Sequence, residues 1–164
     1  MAYRIGSLAV GQTIQRMTAP VGVNAALASM TTGEACVAFD LSQIRPQNVA
    51  ADLIDRSDPV AYPLVNVYCE KIVNSLAEKF RSFSGALEMA VEIRHSQEKP
   101  RGLQDALELY TDAVMQVLDT NRGAWGSGLY YTGGYAVTFA PVKKGGKNYI
   151  QSAKITFQLG VSLN

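Results

Sequence analysis

His95 is the only histidine in the chain, and therefore the only imidazole available for acid–base or nucleophilic chemistry. It lies between Arg94 and Ser96, at the polar end of a segment whose alternating pattern predicts a β-strand. A Ser/His/Asp or Cys/His arrangement would need partners from distant segments, and no local signature marks such partners. Because one histidine without partners specifies no reaction, we interpret His95 as an exposed residue at a strand end.

Two other patterns resemble reactive sites but have simpler explanations. Glu88 and Glu92 share one face of the same predicted strand, as paired acid–base carboxylates do, yet the polar face of a strand is more often solvated or used for contacts. The glycine-rich segments Gly123–Gly128 and Lys143–Lys147 lack the GxxxxGK[ST] spacing of a phosphate-binding loop, and no helix is predicted after them. We predict flexible turns there, because glycine readily adopts positive φ.

The two cysteines, Cys36 and Cys69, lack the CxxC or Cys/His spacing of metal sites and redox motifs. They are predicted to be free thiols in a reducing compartment, with a disulfide between them as the alternative. No catalytic, cofactor-binding or metal-binding residue is therefore predicted. We expect a protein that is not an enzyme, uses no cofactor and is inert in catalytic screens.

The composition is that of a folded protein, because 48% of the 164 residues are hydrophobic and 18% are charged. This length predicts a single domain over residues 1–164, with an irregular, helical region at 1–60 and a sheet-and-helix core at 61–164. The net charge of +1 provides no general attraction to nucleic acid or to an anionic membrane. No apolar segment reaches signal-peptide or membrane-spanning length, so we expect folding in a cytoplasm.

In the first third of the chain, the pattern predicts short elements separated by prolines. Helices are expected at Ser7–Met17 and Val23–Met30, on either side of Pro20. A short strand is expected at Glu34–Phe39, and a further helix at Gln47–Ile54, before the break at Asp58-Pro59.

From Tyr62 onward the periodicity is stronger. Tyr62–Tyr68 is rich in β-branched and aromatic residues and predicts a strand, whereas Cys69–Ser84 has a mixed pattern and is assigned as loop, with one helical turn as the alternative. Ala86–His95 alternates as a half-buried strand does. The residues predicted to face the core of this strand are Leu87, Met89, Val91 and Ile93.

The last third of the chain predicts one long helix and a hairpin. Apolar residues at helical spacing run from Leu103 to Leu118, and Asn121 and Gly123 mark the end of the helix. A loop around Trp125 should lead into a strand at Leu129–Val142, bent at Gly133-Gly134, and a second strand at Asn148–Leu163 should return antiparallel to it. The fold class is α+β: a mostly antiparallel sheet with a long C-terminal hairpin, one long amphipathic helix packed on a face, and an N-terminal helical region.

Charge is segregated between the predicted hairpin and the predicted helix. The turn carries Lys143, Lys144 and Lys147, Lys154 follows, and the last 24 residues contain no acidic residue. The polar face of the helix carries Asp105, Glu108, Asp112 and Asp119. Complementary contacts between neighbouring copies would use both surfaces; ordinary protection of a strand edge and, more weakly, contact with DNA are the alternatives. We expect deletion of Lys143–Lys147 to weaken assembly more than folding.

Aromatic residues form a second candidate interface. Trp125, Tyr130, Tyr131 and Tyr135 lie beside glycines rather than in a continuous apolar run. Tryptophan and tyrosine favour protein interfaces because they combine a large apolar area with a polar tip, although packing in the core explains them equally well.

The order of these elements resembles that of the tail terminator, or tail completion, proteins of long-tailed bacteriophages. The resemblance covers Tyr62–Leu163 and consists of four consecutive segments. These segments are the strand YPLVNVY, the strand GALEMAVEIRHS, the helix LQDALELYTDAVMQVLDTN and the hairpin YYTGGYAVTFAPV to YIQSAKITFQLGVSL.

This resemblance implies a structural virion protein that forms a ring, usually hexameric, in the tail or neck of the particle. Such a ring caps the tail tube, ends tail elongation and joins the tail to the head connector. The implied partners are further copies of the chain, the tail tube protein and the head–tail connector or stopper protein, with nonspecific DNA contact in the lumen and no membrane. Another neck, head-completion or tail tube protein is one alternative; a small-ligand-binding or enzymatic α+β domain, with the aromatic loop as a pocket wall, is the other.

Overall fold

The computed structural model describes residues 4–30, 37–49 and 61–164. Within these ranges the chain forms α1 at Ile5–Thr18, α2 at Val23–Met30 and α3 at Leu103–Thr120, together with a short 3₁₀ helix at Leu41–Gln43. The two predicted N-terminal helices and the long amphipathic helix are therefore confirmed. The apolar stripe of α3 is buried as its spacing predicted, for example at Leu107 and Val114.

The two other N-terminal predictions fail where they can be checked. Val37–Phe39 is not a strand, because the Asn24 side chain takes both backbone groups of Phe39: Asn24 Nδ2 donates to the carbonyl at 3.0 Å and Asn24 Oδ1 accepts from the N–H at 2.8 Å. Residues 47–49 are not helical. The rest of both predicted segments, and the break at Asp58-Pro59, lie outside the described residues.

Eight strands form one mixed, mostly antiparallel sheet in the described part of the chain, which confirms the α+β class. The strands are β1 Ile44–Arg45, β2 Leu64–Asn74, β3 Phe83–Gln97, β4 Gly123–Gly126, β5 Leu129–Tyr131, β6 Tyr135–Phe139, β7 Lys143–Gly145 and β8 Asn148–Leu163. The central strands β3 and β8 are paired along their whole length. On one side β2 follows β3; on the other, β5, β6 and β7 pair in succession with β8, and β4 lies beyond β5. The one parallel pair is β1 with β2.

The assignment of Cys69–Ser84 as a loop is wrong at both ends. β2 continues to Asn74 and β3 begins at Phe83, with a β-bulge at Glu70 where the register shifts. The end of β2 is exposed at every position, so no polar and apolar alternation marks it. The loop is therefore confined to residues 75–82.

The C-terminal hairpin follows the prediction closely. β8 has the predicted bounds, and the predicted strand at Leu129–Val142 divides into β5 and β6 around Gly133-Gly134. Lys143–Gly145 pairs with β8 as β7, so the turn itself is limited to two residues, with Gly146 at φ 69°. The predicted glycine-rich loop around Trp125 is instead the short strand β4, paired with β5.

The helices cover one face of the sheet. α3 packs on β3 and β8, α1 packs on β2, and α2 contacts α3. The four β3 residues predicted to face the core, Leu87, Met89, Val91 and Ile93, are fully buried. Ile5, Met17 and Leu27 of the N-terminal helices belong to the same hydrophobic cluster. The opposite face of the sheet carries charged side chains that form ion pairs, such as Glu92 with Arg94 and Glu88 with Lys71.

Candidate assembly surfaces

The acidic surface of α3 is exposed and available for contacts. Asp105, Glu108 and Asp112 lie on the solvent side of the helix, and no cation within the described ranges forms an ion pair with them. Partial desolvation and the neighbouring charge of Glu108 raise the pKa of Asp112, as expected where carboxylates crowd together. Asp119 differs, because it pairs with Arg122 at 3.2 Å. We define the acidic face as Asp105, Glu108 and Asp112.

The basic surface of the hairpin is smaller than predicted. Lys143, Lys144 and Lys147 are exposed, and none of them has an anionic partner in the part of the chain that the structure describes. Lys154 does not belong with them, because it binds Glu70 and lies 5.9 Å from the centre of the Tyr68 ring. Its pKa is raised, chiefly by the hydrogen bond to Glu70. We define the basic tip as Lys143, Lys144 and Lys147.

Two of the four aromatic candidates are core residues of the single chain. Trp125 is buried, donates its indole N–H to the Asn121 carbonyl at 2.7 Å and lies under the Arg16 guanidinium at 4.3 Å. Tyr131 is fully buried in edge contact with Phe157, and burial raises its pKa to about 12. Packing is therefore the explanation that the structure favours for these two residues.

The other two aromatic candidates reach the surface. Tyr130 is 52% exposed, whereas Tyr135 is half-buried and donates its hydroxyl to Asp119 at 3.3 Å. Desolvation and the adjacent carboxylate raise the pKa of Tyr135. Of the four aromatic candidates, only Tyr130 offers a large, accessible ring of the kind that contributes strongly to interfaces.

His95 is buried rather than exposed, which corrects the prediction from sequence. The residue is 9% exposed, and its ring makes an edge contact with Tyr110 at 5.1 Å between ring centres. Its Nε2 lies 3.2 Å from the Gln97 amide, its Nδ1 has no hydrogen-bond partner among the described residues, and burial lowers its pKa. β3 extends two residues beyond His95, so the histidine lies within the strand and beneath α3 rather than at its end.

The carboxylates on the open face of the sheet each have a partner. Glu92 accepts two hydrogen bonds from the buried Arg94 guanidinium, at 2.7 and 3.0 Å, and one from the Tyr68 hydroxyl. Glu88 lies 3.9 Å from Lys71. These contacts fit an ion-paired surface, in line with the interpretation of Glu88 and Glu92 as face residues.

Exposed apolar residues mark regions that the sequence-based predictions missed. Ile72 and Val73 at the end of β2 are 50% and 38% exposed, and Phe139 at the end of β6 is 41% exposed. In the loop 75–82, Leu76 and Phe80 both have positive φ, and Phe80 is fully exposed. The consecutive β-branched pair Ile72-Val73 was the signal for a longer β2.

A groove of about 920 Å³ lies between α1, the end of β1 and β2. Six consecutive residues of β2, Val67–Ile72, line the groove. Because successive side chains of a strand point to opposite faces, this continuous lining indicates that the groove lies along the backbone edge of β2 and not on one face of it. The wall formed by α1 includes Gly6, Val10 and Ile14. Cys69, a free thiol whose pKa is raised by burial, lies beside Gly6 at the floor; Cys36 lies outside the described residues.

Within the described ranges, no group of three His, Cys, Asp or Glu side chains is placed to hold a metal ion. No described helix combines the length and the apolar character needed to cross a bilayer.

No protein-family model matches this chain, and no curated protein matches it either. The assignment of a function therefore depends on the surfaces described above. The relevant features are the acidic face, the basic tip, the exposed ends of β2 and β6, and the groove.

Proposed function

We propose that this protein is a ring-forming structural subunit of a phage virion, of the tail terminator type, which caps the tail tube and joins it to the head connector. The observation that carries the proposal is that the described sheet ends in two unlike edges. On one side, β2 has no strand partner beyond Asn66 among the described residues; on the other, β6 has none along its outer edge.

Unlike edges favour head-to-tail contacts over twofold ones. A surface that is not self-complementary joins a different surface on the next copy, and repeated head-to-tail contacts close into a ring when the rotation permits. A ring built in this way has two different faces. One face is needed to bind the tail tube and the other to bind the connector, so the geometry suits a cap between two different partners.

The distribution of charge supports the same arrangement. The acidic face on α3 and the basic tip on the β7–β8 turn are both exposed, and neither has an ion-pair partner within the described residues. Complementary charges steer association and fix register between copies. The element order observed from β2 to β8 also agrees with the order on which the resemblance to tail terminator proteins depends.

The test is a capping experiment with purified components. Tail tubes grown from the tube protein of the phage that encodes this chain should stop elongating when the chain is added, and electron microscopy should show one ring at one end of each tube. Incorporation along the length of the tubes would indicate the tail tube alternative. Continued elongation with no bound ring would contradict the proposal.

A further inference from the structure

We propose that β6 of one copy pairs antiparallel with Glu70–Asn74 of β2 in the next copy, so that the sheet continues across the subunit interface. This inference rests on the proposed ring of identical copies and names the strands that join it. Both segments have five residues, and all five residues of Glu70–Asn74 are exposed.

The outer edge of β6 has backbone groups free to pair. The Ala140 N–H donates to the Ser152 carbonyl on β8 at 2.9 Å. Because hydrogen-bonding direction alternates along an antiparallel strand, Thr138 also faces β8, whereas Val137 and Phe139 direct their backbone groups away from it. No described strand lies on that side.

The same alternation applies to the end of β2. The Ser75 N–H donates to the Ser84 carbonyl at 3.1 Å, in register with the β2–β3 ladder, so Val73 faces β3 and Ile72 directs its backbone groups outward. The neighbouring strand β1 pairs only with Val65 and Asn66. Among the described residues, no backbone group pairs with the outward N–H and C=O of Ile72.

The topology determines the direction of the new pair. Across the sheet, β2, β3, β8 and β6 alternate in direction, so β6 runs opposite to β2 within one chain. Rotation about an axis along the strands preserves the direction of every strand. The β6 strand of one copy therefore meets β2 of the next in antiparallel orientation, the arrangement that gives the more stable ladder.

The groove provides space for the incoming strand. With Ile72 opposite Val137, Phe139 of the incoming copy lies opposite Glu70, at the groove of about 920 Å³ beside β2. Phe139 lies on the same face of β6 as Val137, which packs against the hydrophobic core. The 41% exposed Phe139 ring then covers Cys69 and the α1 wall.

The surface area that a stable interface must bury also favours a second copy of this chain as the partner at the strand edges. A stable interface buries about 800 Å² per partner, which is close to a tenth of the 9184 Å² surface of this chain. The three side chains of the basic tip and the three of the acidic face are too few to bury such an area. The strand edges, with Ile72, Val73 and Phe139, supply the missing apolar contact.

Proline substitution tests the pairing with a matched control at each edge. Val137→Pro and Ile72→Pro each remove an outward N–H and leave the intrachain ladder intact, while Val137→Ala and Ile72→Ala retain the N–H. We expect each proline variant to raise the concentration at which half of the chains are assembled at least about tenfold relative to its alanine control. Circular dichroism checks that the fold is retained.

Disulfide trapping gives an independent measurement if a proline variant fails to fold. In a Cys36→Ser/Cys69→Ser background, we combine Val73→Cys on one copy with Ala136→Cys on the next. In the proposed register these residues face each other as a non-hydrogen-bonded pair, whose side chains lie close enough for a disulfide. Val73→Cys combined with Thr138→Cys tests a register that is shifted by two residues. Oxidation should give a ladder of covalent oligomers up to the full ring, and neither single-cysteine control should.

The outcomes separate this inference from the proposed function. If the wild-type chain forms a ring but neither cysteine combination gives covalent oligomers, the strand pairing is wrong and the ring stands. The same conclusion follows if the proline variants assemble like their alanine controls. A wild-type chain that remains a monomer overturns both.

Discussion

Reversing the charges of the basic tip should break the assembly without unfolding the chain. Lys143→Glu/Lys144→Glu/Lys147→Glu changes three exposed side chains without ion-pair partners in the described ranges, so we expect little effect on the free energy of unfolding. In the ring that we propose, the same lysines would face the three carboxylates of the acidic face on the next copy. Lys154 and Asp119 are left out because each already has a partner in its own chain.

The magnitude follows from the exposure of these groups. An exposed ion pair contributes about 0.5 kcal/mol, so three pairs contribute about 1.5 kcal/mol at each interface. Reversal replaces attraction by repulsion of similar size, for a total of about 3 kcal/mol and a loss of about a hundredfold in affinity. Because the charges are exposed, 1 M salt should weaken the wild-type assembly in the same direction.

The assay is the half-assembly concentration, measured by analytical ultracentrifugation. Asp105→Lys/Glu108→Lys/Asp112→Lys should be equally defective alone, and an equimolar mixture of the two triple variants should assemble again, because alternating copies restore every contact. Thermal melting provides the control for folding. A lysine-reversed variant that assembles at the wild-type concentration would refute the reasoning about the two charged surfaces.

Three further predictions concern stability. Burial lowers the pKa of His95, so the unfolded chain binds a proton before the folded one as the pH falls below about 6.5. The contribution of His95 to the free energy of unfolding should therefore be fully present above that pH and be lost as the pH falls below it. The difference in free energy of unfolding between pH 7.5 and pH 5.5, measured with urea, should be smaller for His95→Phe than for the wild type. Trp125→Ala should lower the free energy of unfolding by about 3–5 kcal/mol, whereas Tyr130→Ala on the surface should change it by less than about 0.5 kcal/mol; equal effects would contradict the assigned burial. Gly85→Ala should lower the melting temperature by several degrees, because the added Cβ would lie 1.8 Å from the Val73 carbonyl oxygen; an unchanged melting temperature would contradict the described β2–β3 approach.

Helices and strands whose apolar residues recur at a regular spacing could be predicted from the sequence. The spacing of Leu103, Leu107 and Val114 marks α3 because a helix that packs on a sheet needs one continuous apolar stripe. Alternation alone predicts β8, because its inward residues, such as Ile155 and Leu159, are buried in the core. The hairpin followed from the glycines of the turn.

Each failed prediction has a physical cause in the structure. The end of β2 is exposed on both faces, so its residues carry no alternation that could reveal a strand. The burial of His95 depends on Tyr110, which comes from α3 across the core. Asn24 suppresses a strand at Phe39 through a contact over 15 positions. The burial of His95 and the absence of a strand at Phe39 depend on tertiary contacts that no local window contains.

The candidate surfaces were predictable only in part. The charges of the acidic face and the basic tip are visible in the sequence, but the pairing of Lys154 with Glu70 is not. Trp125 and Tyr131 are typical interface residues by type, and yet the single chain buries both. The groove beside β2 is formed by segments that are distant in sequence, so no motif marks it.

Mass measurement of the wild-type chain in solution, combined with electron microscopy of the same sample, tests the central claim most directly. We predict closed rings of identical copies that dissociate as salt rises and do not grow into tubes. A single-chain mass at every concentration tested, with no rings in the images, would contradict it.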